Sequence, residues 1–406
     1  MPIVDMKGML EHAYQYGYAV GAFDVVSLDF VTGIMTAAER SRSPVILSLA
    51  ESHFAHFDFE LLMSAVERAA QRATVPVAIH LDHGMSTKSA VQAISLGCNG
   101  VMVDASHHPF EENVRLTLGV TGMAHSCGIP VEGELGYVPG VEGEDAEHHP
   151  GDLVYTSVSE AKEYVQRTGV DFLAVSIGTV HGRMKGEPSL NYSRLEEINK
   201  TLGIPLVLHG GTGLTDEQYS RLINNGISKI NYYTALADAS GKRVQQNTQS
   251  DGQGYTALVD GVAESIADEA ERCMHLWGSA GQADNALKNC ASWAPVEHLI
   301  VYNADANETK VHAMMSEGRR VLSQIPGVRT VFTGNAIQEG AQYRFSWLVR
   351  FCHPAVIDSY RDHPDHIAFA DNQFRPIAGD RISIDYRAVE SGRTHSENSA
   401  SIRKSA

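Results

Sequence analysis

Residues 1–235 contain eight short segments rich in Val, Ile and Leu, with segments of helical length between them. Several of the short segments show little polar alternation, which is typical of strands buried on both faces of a parallel sheet. Eight such strands with intervening helices predict an α/β fold, the closed (β/α)8 or TIM barrel with right-handed crossovers. An open, doubly wound sheet is the alternative on pattern alone. The predicted strands are 18–23, 45–49, 77–81, 100–103, 131–135, 172–177, 206–208 and 227–231.

The pattern changes after residue 277. We assign 1–277 to the barrel, closed by one helix over 255–277, and the segment 278–294, which begins with small residues, to a linker. Residues 295–388 then follow a β-α-β-β-α-β order, which predicts a small α+β ferredoxin-like domain. The Ser-rich tail 389–406 lacks periodicity, and we expect it to be disordered.

The composition excludes several classes of function. The chain has 406 residues, with 32 Lys+Arg against 49 Asp+Glu, and its net charge of −17 repels nucleic-acid phosphates and anionic lipids. No apolar run approaches the ~18 residues of a membrane span, and the N-terminus lacks the layout of a signal peptide. The five cysteines form no C-x-x-C pair, which fits a reducing compartment. We therefore expect a cytoplasmic protein that binds neither nucleic acid nor membranes.

Three histidines stand at the carboxyl ends of predicted strands, where the active site of such a barrel lies. His83 ends the third strand, His181 follows the sixth, and His209 ends the seventh, each close to glycine. Three protein ligands with a fourth position open are typical of a catalytic zinc site. His80 lies three residues before His83, so we expect it to point to the opposite face of the strand and to pack or support the site from behind.

Acidic residues crowd the same rim. Asp82, Asp104, Glu132 and Glu134 lie near strand ends, and a carboxylate beside a metal can move protons on a substrate oxygen. The alternative for each is a solvated loop acid or a partner of a histidine ring N–H. The longest loop near the barrel mouth, 136–151, is Gly-rich and acidic, which is typical of a lid whose carboxylate takes a substrate proton. A solvated surface loop is the alternative.

Three turns after the late strands could bind a phosphate through backbone N–H groups. They contain Gly178 and Gly182, the GGTG stretch 210–213, and the residues that follow Asn231. Lys185 could add a positive charge to this site.

Residues 1–275 resemble the class II, metal-dependent fructose-bisphosphate/tagatose-bisphosphate aldolases. The resemblance implies a zinc-dependent enzyme that cleaves or forms a ketose 1-phosphate, from dihydroxyacetone phosphate and an aldehyde, through a metal-stabilised enediolate. The resemblance is also compatible with another divalent metal in place of zinc, or with an additional monovalent cation. The motifs that carry it span the barrel in order: HLDHG (80–84), VDASHHPFEEN (103–113), VEGELG (131–136), TGVDFLAVSIGTVHG (168–182), LVLHGGTGL (206–214) and GISKINYYTAL (226–236).

The resemblance implies roles for individual residues. Asp82 matches the catalytic aspartate that shuttles the proton of the aldehyde-derived hydroxyl. The lid carboxylate that takes the proton of dihydroxyacetone phosphate falls on Glu142, with Glu144 as the competing choice. The metal ligands and metal-proximal acids fall on His83, His181, His209, Glu134 and Asp104. The phosphate site of the ketone half falls on Gly182, Lys185, Gly210, Gly211, Thr212, Asn231 and Thr234.

Two positions depart from the family pattern. Asp24 stands where the family usually has Asn, and Ala50 followed by Glu51 stands where it usually has Ser or Thr. These positions serve the aldehyde half of the substrate, and two acids there would repel a second phosphate. We therefore expect an unphosphorylated or hydroxyl-rich aldehyde.

Residues 295–388 resemble the stress-responsive dimeric α/β-barrel (Dabb) domains. The resemblance implies that two ferredoxin-like sheets pair across a dimer, so we expect a homodimer or homotetramer. We expect His298, His363 and His366 to be structural. The matching stretches are VEHLIVY (296–302), IPGV (325–328), YRFSWLVRF (343–351) and HPDH (363–366).

Two other functions stay open at this point. Lys229 shares the strand parity of Asn231, so it could face the barrel interior and form a Schiff base with a ketose. The barrel could also be a non-catalytic regulatory or partner subunit. A missing metal ligand would favour that alternative, and none of the three histidines is missing.

Overall fold

A computed structural model describes residues 2–136, 138, 140, 155–183, 188–249 and 254–388. Eight parallel strands close into a barrel in which β8 pairs with β1, so the predicted barrel is confirmed and the open sheet is wrong. The strands are β1 (Val20–Asp24), β2 (Val45–Ala50), β3 (Val77–Gly84), β4 (Gly100–Val103), β5 (Val131–Leu135), β6 (Phe172–Val175), β7 (Leu206–Leu208) and β8 (Ile227–Tyr232).

Helices cover the outside of the barrel, and several begin at a side-chain cap. The Asp58 carboxylate accepts a hydrogen bond from the Leu61 amide, and Thr215 and Gln218 form a capping box. The helices are α1 (Met6–Tyr16), α2 (Leu28–Ser41), α3 (Phe59–Arg72), α4 (Thr87–Leu96), α5 (Phe110–Ser126), α6 (Val158–Thr168), α7 (Tyr192–Leu202), α8 (Asp216–Asn224), α9 (Thr234–Asn247), α10 (Tyr255–Leu258) and α11 (Val262–Leu276). None of the helices in these described ranges combines the length and apolar character that a bilayer span requires.

The single helix predicted over 255–277 is wrong, because α10 and α11 are separate. The chain turns between them at Gly261, whose φ of 71° lies in the left-handed region that glycine adopts without a steric penalty. Hydrophobic periodicity continues across the turn, so the pattern alone could not show the break.

The barrel has two apolar layers. Strand residues facing outward pack under the helices, and small inward residues such as Ala22, Ala78 and Ala174 fill the interior. Met6 and Leu10 of α1 join the interior cluster, so α1 plugs the amino end of the barrel. The carboxyl ends of the strands are therefore the end at which polar side chains can meet.

The C-terminal domain has the predicted β-α-β-β-α-β order and an antiparallel sheet in the order β10-β11-β9-β12. Helices cover one face of the sheet, where Trp347 and Phe351 are buried. The segment predicted as a linker contains α12 and runs across the amino end of the barrel, where the Trp293 amide donates to the Ile3 carbonyl. The elements are α12 (Ala283–Asn289), β9 (Val296–Ala304), α13 (Glu308–Leu322), β10 (Val328–Asn335), β11 (Phe345–Phe351), α14 (Val356–Arg361), α15 (Pro364–Phe369) and β12 (Ala378–Arg387).

An ion pair joins the two domains. The Arg329 guanidinium donates to both Glu67 oxygens, at 2.6 and 2.7 Å, and its Nη2 also donates to the Leu96 carbonyl at 3.0 Å. Leu96 ends α4, so the cation lies at the negative end of a helix dipole. The two side chains are only 15% and 23% exposed, so water screens the pair weakly.

We expect Arg329→Met to lower the free energy of unfolding of the C-terminal domain by about 2–3 kcal/mol, because Glu67 and the end of α4 lose their shared donor. Urea unfolding of the full chain measures this. Arg320→Met is the control, since it removes an exposed ion pair with Glu317 and should leave the free energy of unfolding essentially unchanged. Equal effects of the two substitutions would contradict a stabilising role for the interdomain pair.

Candidate active site

Three histidine rings meet at the carboxyl end of the barrel. His83 comes from the end of β3, His181 from the turn after β6 and His209 from the turn after β7. The ring centroid of His83 lies 4.8 Å from that of His209 and 5.0 Å from that of His181. One nitrogen of each ring lies within 4.8 Å of the other two. The structure therefore brings together the three histidines singled out from the sequence.

Each ring is oriented by a hydrogen bond on the side away from the centre. His83 Nδ1 contacts Asp104 Oδ2 at 2.7 Å, His181 Nδ1 contacts the Val138 carbonyl at 2.9 Å, and His209 Nε2 contacts Glu132 Oε1 at 3.0 Å. These acceptors direct the opposite nitrogens toward one another.

The inward nitrogens fit a divalent metal. His83 Nε2 and His209 Nδ1 are buried and have no hydrogen-bond partner among the described residues. Converging ring nitrogens of this kind, each oriented from behind by an oxygen acceptor, are the donor set that zinc and related ions prefer.

The expectation that His80 and His83 point to opposite faces of the strand is wrong. His80 is fully buried inside the barrel, with Nε2 at 3.7 Å from Glu132 Oε2, and His83 reaches the same interior from the rim. The alternation fails because His83 has a φ of 46°, a left-handed conformation that turns the backbone at the strand end. Positive φ at a non-glycine residue often marks a functional site.

Two carboxylates stand beside the histidine cluster. Glu134 is 1% exposed, and its Oε2 lies 3.5 Å from His209 Nδ1. Burial and the nearby Asp104 carboxylate raise the pKa of Glu134 to about 7. Asp104 accepts hydrogen bonds from His83 and Ser106, which hold its pKa below the usual range although burial opposes them. In this geometry Asp104 orients His83.

The carboxylate of Asp82 is fully buried between the cluster and β8. Its Oδ1 accepts from Asn231 Nδ2 at 2.8 Å, and its Oδ2 lies 3.9 Å from His83 Nε2. Burial would raise the pKa of Asp82, but the charges of His83 and Lys229 keep it below the usual range. Asp82 is therefore an ionised acceptor, and no hydrogen bond within the described ranges reaches its Oδ2.

A buried ion pair underlies the cluster. Lys229 Nζ lies 2.7 Å from Glu132 Oε2, and neither side chain is exposed. The sequence pattern predicts Glu132 among the rim acids and does not predict this pair. The signal was the spacing of Glu132 and Glu134, which puts both side chains on the inner face of one strand.

The turns assigned to phosphate binding lie beside the cluster. Gly182 and Gly210 have φ of 83° and 64°, and a side chain on Gly210 would overlap the Val180 carbonyl. Asn231 and Thr234 are buried at the end of β8 and the start of α9. Two further residues of the predicted phosphate site follow Gly210: Gly211 is buried and Thr212 is partly exposed. Three further predicted residues, Lys185, Glu142 and Glu144, lie outside the described residues.

The two acids expected on the aldehyde side lie at the same end of the barrel. Asp24 ends β1 and is 1% exposed, and Glu51 opens a short 3₁₀ turn after β2. Glu51 Oε2 accepts from the Met85 amide at 2.7 Å, which ties the turn to the segment after β3. The rings of His53 and Tyr233 lie 4.5 Å apart on this side.

Two families match the chain. The class II fructose-bisphosphate aldolases match residues 4–282, which contain the whole barrel and the site at its carboxyl end. The chain belongs to this aldolase family. The stress responsive A/B barrel domain matches residues 296–388. The protein is therefore an aldolase, a carbon–carbon lyase of a metal-dependent family, with an additional C-terminal domain.

Relatives of this aldolase include bacterial enzymes of known name. The probable fructose-bisphosphate aldolase of Bacillus subtilis (strain 168) is 41% identical over 288 residues, which cover 70% of this chain and 100% of the relative. The fructose-bisphosphate aldolase of Geobacillus stearothermophilus is 42% identical over 288 residues, covering 70% and 99%. The crystal structure of the YdjI aldolase from Escherichia coli K12 matches with a TM-score of 0.63 and 36% identity, over 69% of this chain and 99% of that chain.

Proposed function

We propose that this aldolase uses zinc to cleave and form a ketose 1-phosphate, with dihydroxyacetone phosphate and an aldehyde as the two halves. The observation that carries the proposal is the convergence of three oriented histidine rings between the buried carboxylates of Asp82 and Glu134. Zinc at this position would stabilise the negative charge that develops on the enediolate oxygens.

The chain's own residues would hold the metal and move protons. His83, His181 and His209 are the proposed ligands, and Glu134 is a further carboxylate close to them. Asp82 is the residue that we propose to exchange a proton with the hydroxyl on the aldehyde half, and its Oδ2, 3.9 Å from His83 Nε2, supports this while Asn231 binds the other oxygen. We assign the proton on the ketone half to the lid carboxylate Glu142, with Glu144 as the competing choice.

The ketone-side phosphate is proposed to bind the turns after β6, β7 and β8. Backbone N–H groups at glycine turns form concave anion sites, and a basic side chain strengthens them. The proposed residues are Gly182, Lys185, Gly210, Gly211, Thr212, Asn231 and Thr234.

The aldehyde half is proposed to carry hydroxyl groups and no second phosphate. Asp24 and Glu51 both lie at the carboxyl end of the barrel, at the ends of adjacent strands. A carboxylate accepts hydrogen bonds from hydroxyls and repels a phosphate dianion.

We favour the metal-dependent reaction over the two alternative functions. Lys229 is fully buried and donates to Glu132, so its amine is committed to an ion pair beneath the site. A non-catalytic barrel has no need of three histidine rings oriented toward one point.

We expect His83→Asn to reduce bound zinc from near one per chain to below about 0.5, because an amide in place of the imidazole cannot supply the same nitrogen ligand. Elemental analysis of protein purified without chelator measures this. His107→Asn is the matched control, since His107 is exposed on the loop after β4 and should leave the zinc content unchanged. Zinc retained in the His83 variant would exclude His83 as a ligand.

Condensation assays with dihydroxyacetone phosphate and a panel of aldehydes test the reaction. We expect turnover with hydroxylated, unphosphorylated aldehydes, at least about tenfold faster in kcat/KM than with glyceraldehyde 3-phosphate, because two carboxylates on the aldehyde side would repel a second phosphate; a tenfold ratio corresponds to about 1.4 kcal/mol. Chelation should abolish turnover and zinc should restore it. Borohydride trapping of substrate on Lys229 would support the Schiff-base alternative, and a preference for glyceraldehyde 3-phosphate would contradict the aldehyde assignment.

The open face of the C-terminal sheet is proposed to pair with a second copy of the chain. A row of apolar side chains crosses all four strands on this face, because Leu299 pairs with both Leu348 and Ile384, and Leu348 pairs with Phe332. Phe332 is 58% exposed and Ile384 42% exposed in the single chain. A contiguous apolar face of this kind is typical of a subunit interface.

We expect Ile384→Asp to convert the oligomer to a smaller species, because a carboxylate at the centre of the row would be buried without a partner. Sedimentation equilibrium measures the mass. Ile337→Asp is the matched control, since Ile337 is 96% exposed outside the strands and should leave the mass unchanged. An unchanged mass in the Ile384 variant would place the interface elsewhere.

A further inference from the structure

Three buried side chains from β5, β8 and the turn after β7 form one hydrogen-bond network beneath the histidine cluster. Lys229 on β8 donates to Glu132 Oε2 at 2.7 Å, and Glu132 Oε1 on β5 lies 3.0 Å from His209 Nε2 after β7. All three side chains are 0% exposed.

This hydrogen-bond network determines which nitrogen of His209 carries the proton. A carboxylate can only accept, so the ring must present an N–H at Nε2 to make the 3.0 Å contact. Asn231 Nδ2 also lies 3.3 Å from Nε2, and the N–H that it does not donate to Asp82 could reach Nε2 in the other tautomer, but Glu132 makes the shorter contact and carries a negative charge. The lone pair of His209 is therefore at Nδ1, which faces the site.

A second carboxylate competes for the same ring from the other side. Glu134 Oε2 lies 3.5 Å from His209 Nδ1, and Nδ1–H could donate to it in the other tautomer. In that tautomer Nδ1 carries the proton and has no lone pair for a metal. Glu132 has the shorter contact with the ring, and its other oxygen accepts a hydrogen bond from Lys229 Nζ at 2.7 Å, which fixes the orientation of the carboxylate toward Nε2.

We propose that Lys229 and Glu132 are positioning residues that hold His209 in the Nε2–H tautomer, with Nδ1 presented to the metal. The inference rests on the proposed metal site. Neither residue touches the metal or the substrate in this role. Lys229 acts through Glu132, and Glu132 acts through His209. This explains a buried lysine in the core of the barrel without assigning it covalent chemistry.

Two double variants separate this role from simple packing. Glu132→Gln/Lys229→Met removes both charges but keeps an oxygen acceptor for His209 Nε2–H. Glu132→Leu/Lys229→Met removes both charges and the acceptor. Both partners of the ion pair are replaced together, because a single replacement would leave one buried charge without its partner and would strongly destabilise the protein.

We expect the Gln variant to bind zinc within about threefold of the wild type, and the Leu variant to bind it about 10–100-fold more weakly, as loss of a partner behind a ligating histidine typically does. Competition of zinc with a chelator measures affinity on full-length protein. Glu67→Gln/Arg329→Met removes the interdomain ion pair and should leave zinc affinity unchanged.

A second measurement uses the wild type, so it does not depend on whether the Lys229 and Glu132 variants fold. Nitrogen-15 NMR of the metal-free wild type should show His209 protonated at Nε2, with the signal assigned by its loss in His209→Asn. An Nδ1–H tautomer, or equal zinc affinities in the Gln and Leu variants, would overturn the inference. Absence of zinc binding in the wild type would instead overturn the proposed metal site.

Discussion

The pairing of β8 with β1 is the constraint on which the site depends. All eight strands are parallel to their neighbours and the barrel is closed, so their carboxyl ends meet in one ring. Because α1 plugs the amino end, the interior is accessible to polar chemistry at the other end. Residues as distant in sequence as His83 and His209 then lie with ring centroids 4.8 Å apart.

The closed barrel also places several charged side chains in its buried interior, and burying them costs electrostatic free energy. Glu132, Glu134 and Asp82 are fully buried within one short stretch of the barrel, and an isolated carboxylate there would be strongly destabilising. Lys229 offsets the charge of Glu132, and Asn231 binds one oxygen of Asp82. Glu134 has less compensation, and its pKa of about 7 reflects this. A cation bound among the inward nitrogens would relieve the remaining repulsion, and its binding would then stabilise the fold.

Hydrophobic patterning predicted the eight strands, the change of fold after residue 277 and the ring of histidines, because each of these follows from local sequence and from the rule that barrel sites lie at carboxyl ends. It did not predict the left-handed backbone at His83, which brings His80 and His83 into the same interior. It also missed the Glu132–Lys229 pair, whose members are 97 residues apart. Such a pair depends on the register of β5 and β8 within the closed barrel, and periodicity within one strand carries no information about that register.

The C-terminal domain is joined to the barrel at the end away from the histidine cluster. Arg329 binds the end of α4, and residues 291–293 contact residues 3–5, so the C-terminal domain is attached at the amino end of the barrel. The site lies at the opposite end of the strands. Pairing of two chains through the open sheet face would therefore join them on the far side from substrate entry. The interdomain contacts and the apolar sheet face would then set the arrangement of two barrels from the end opposite the histidine cluster.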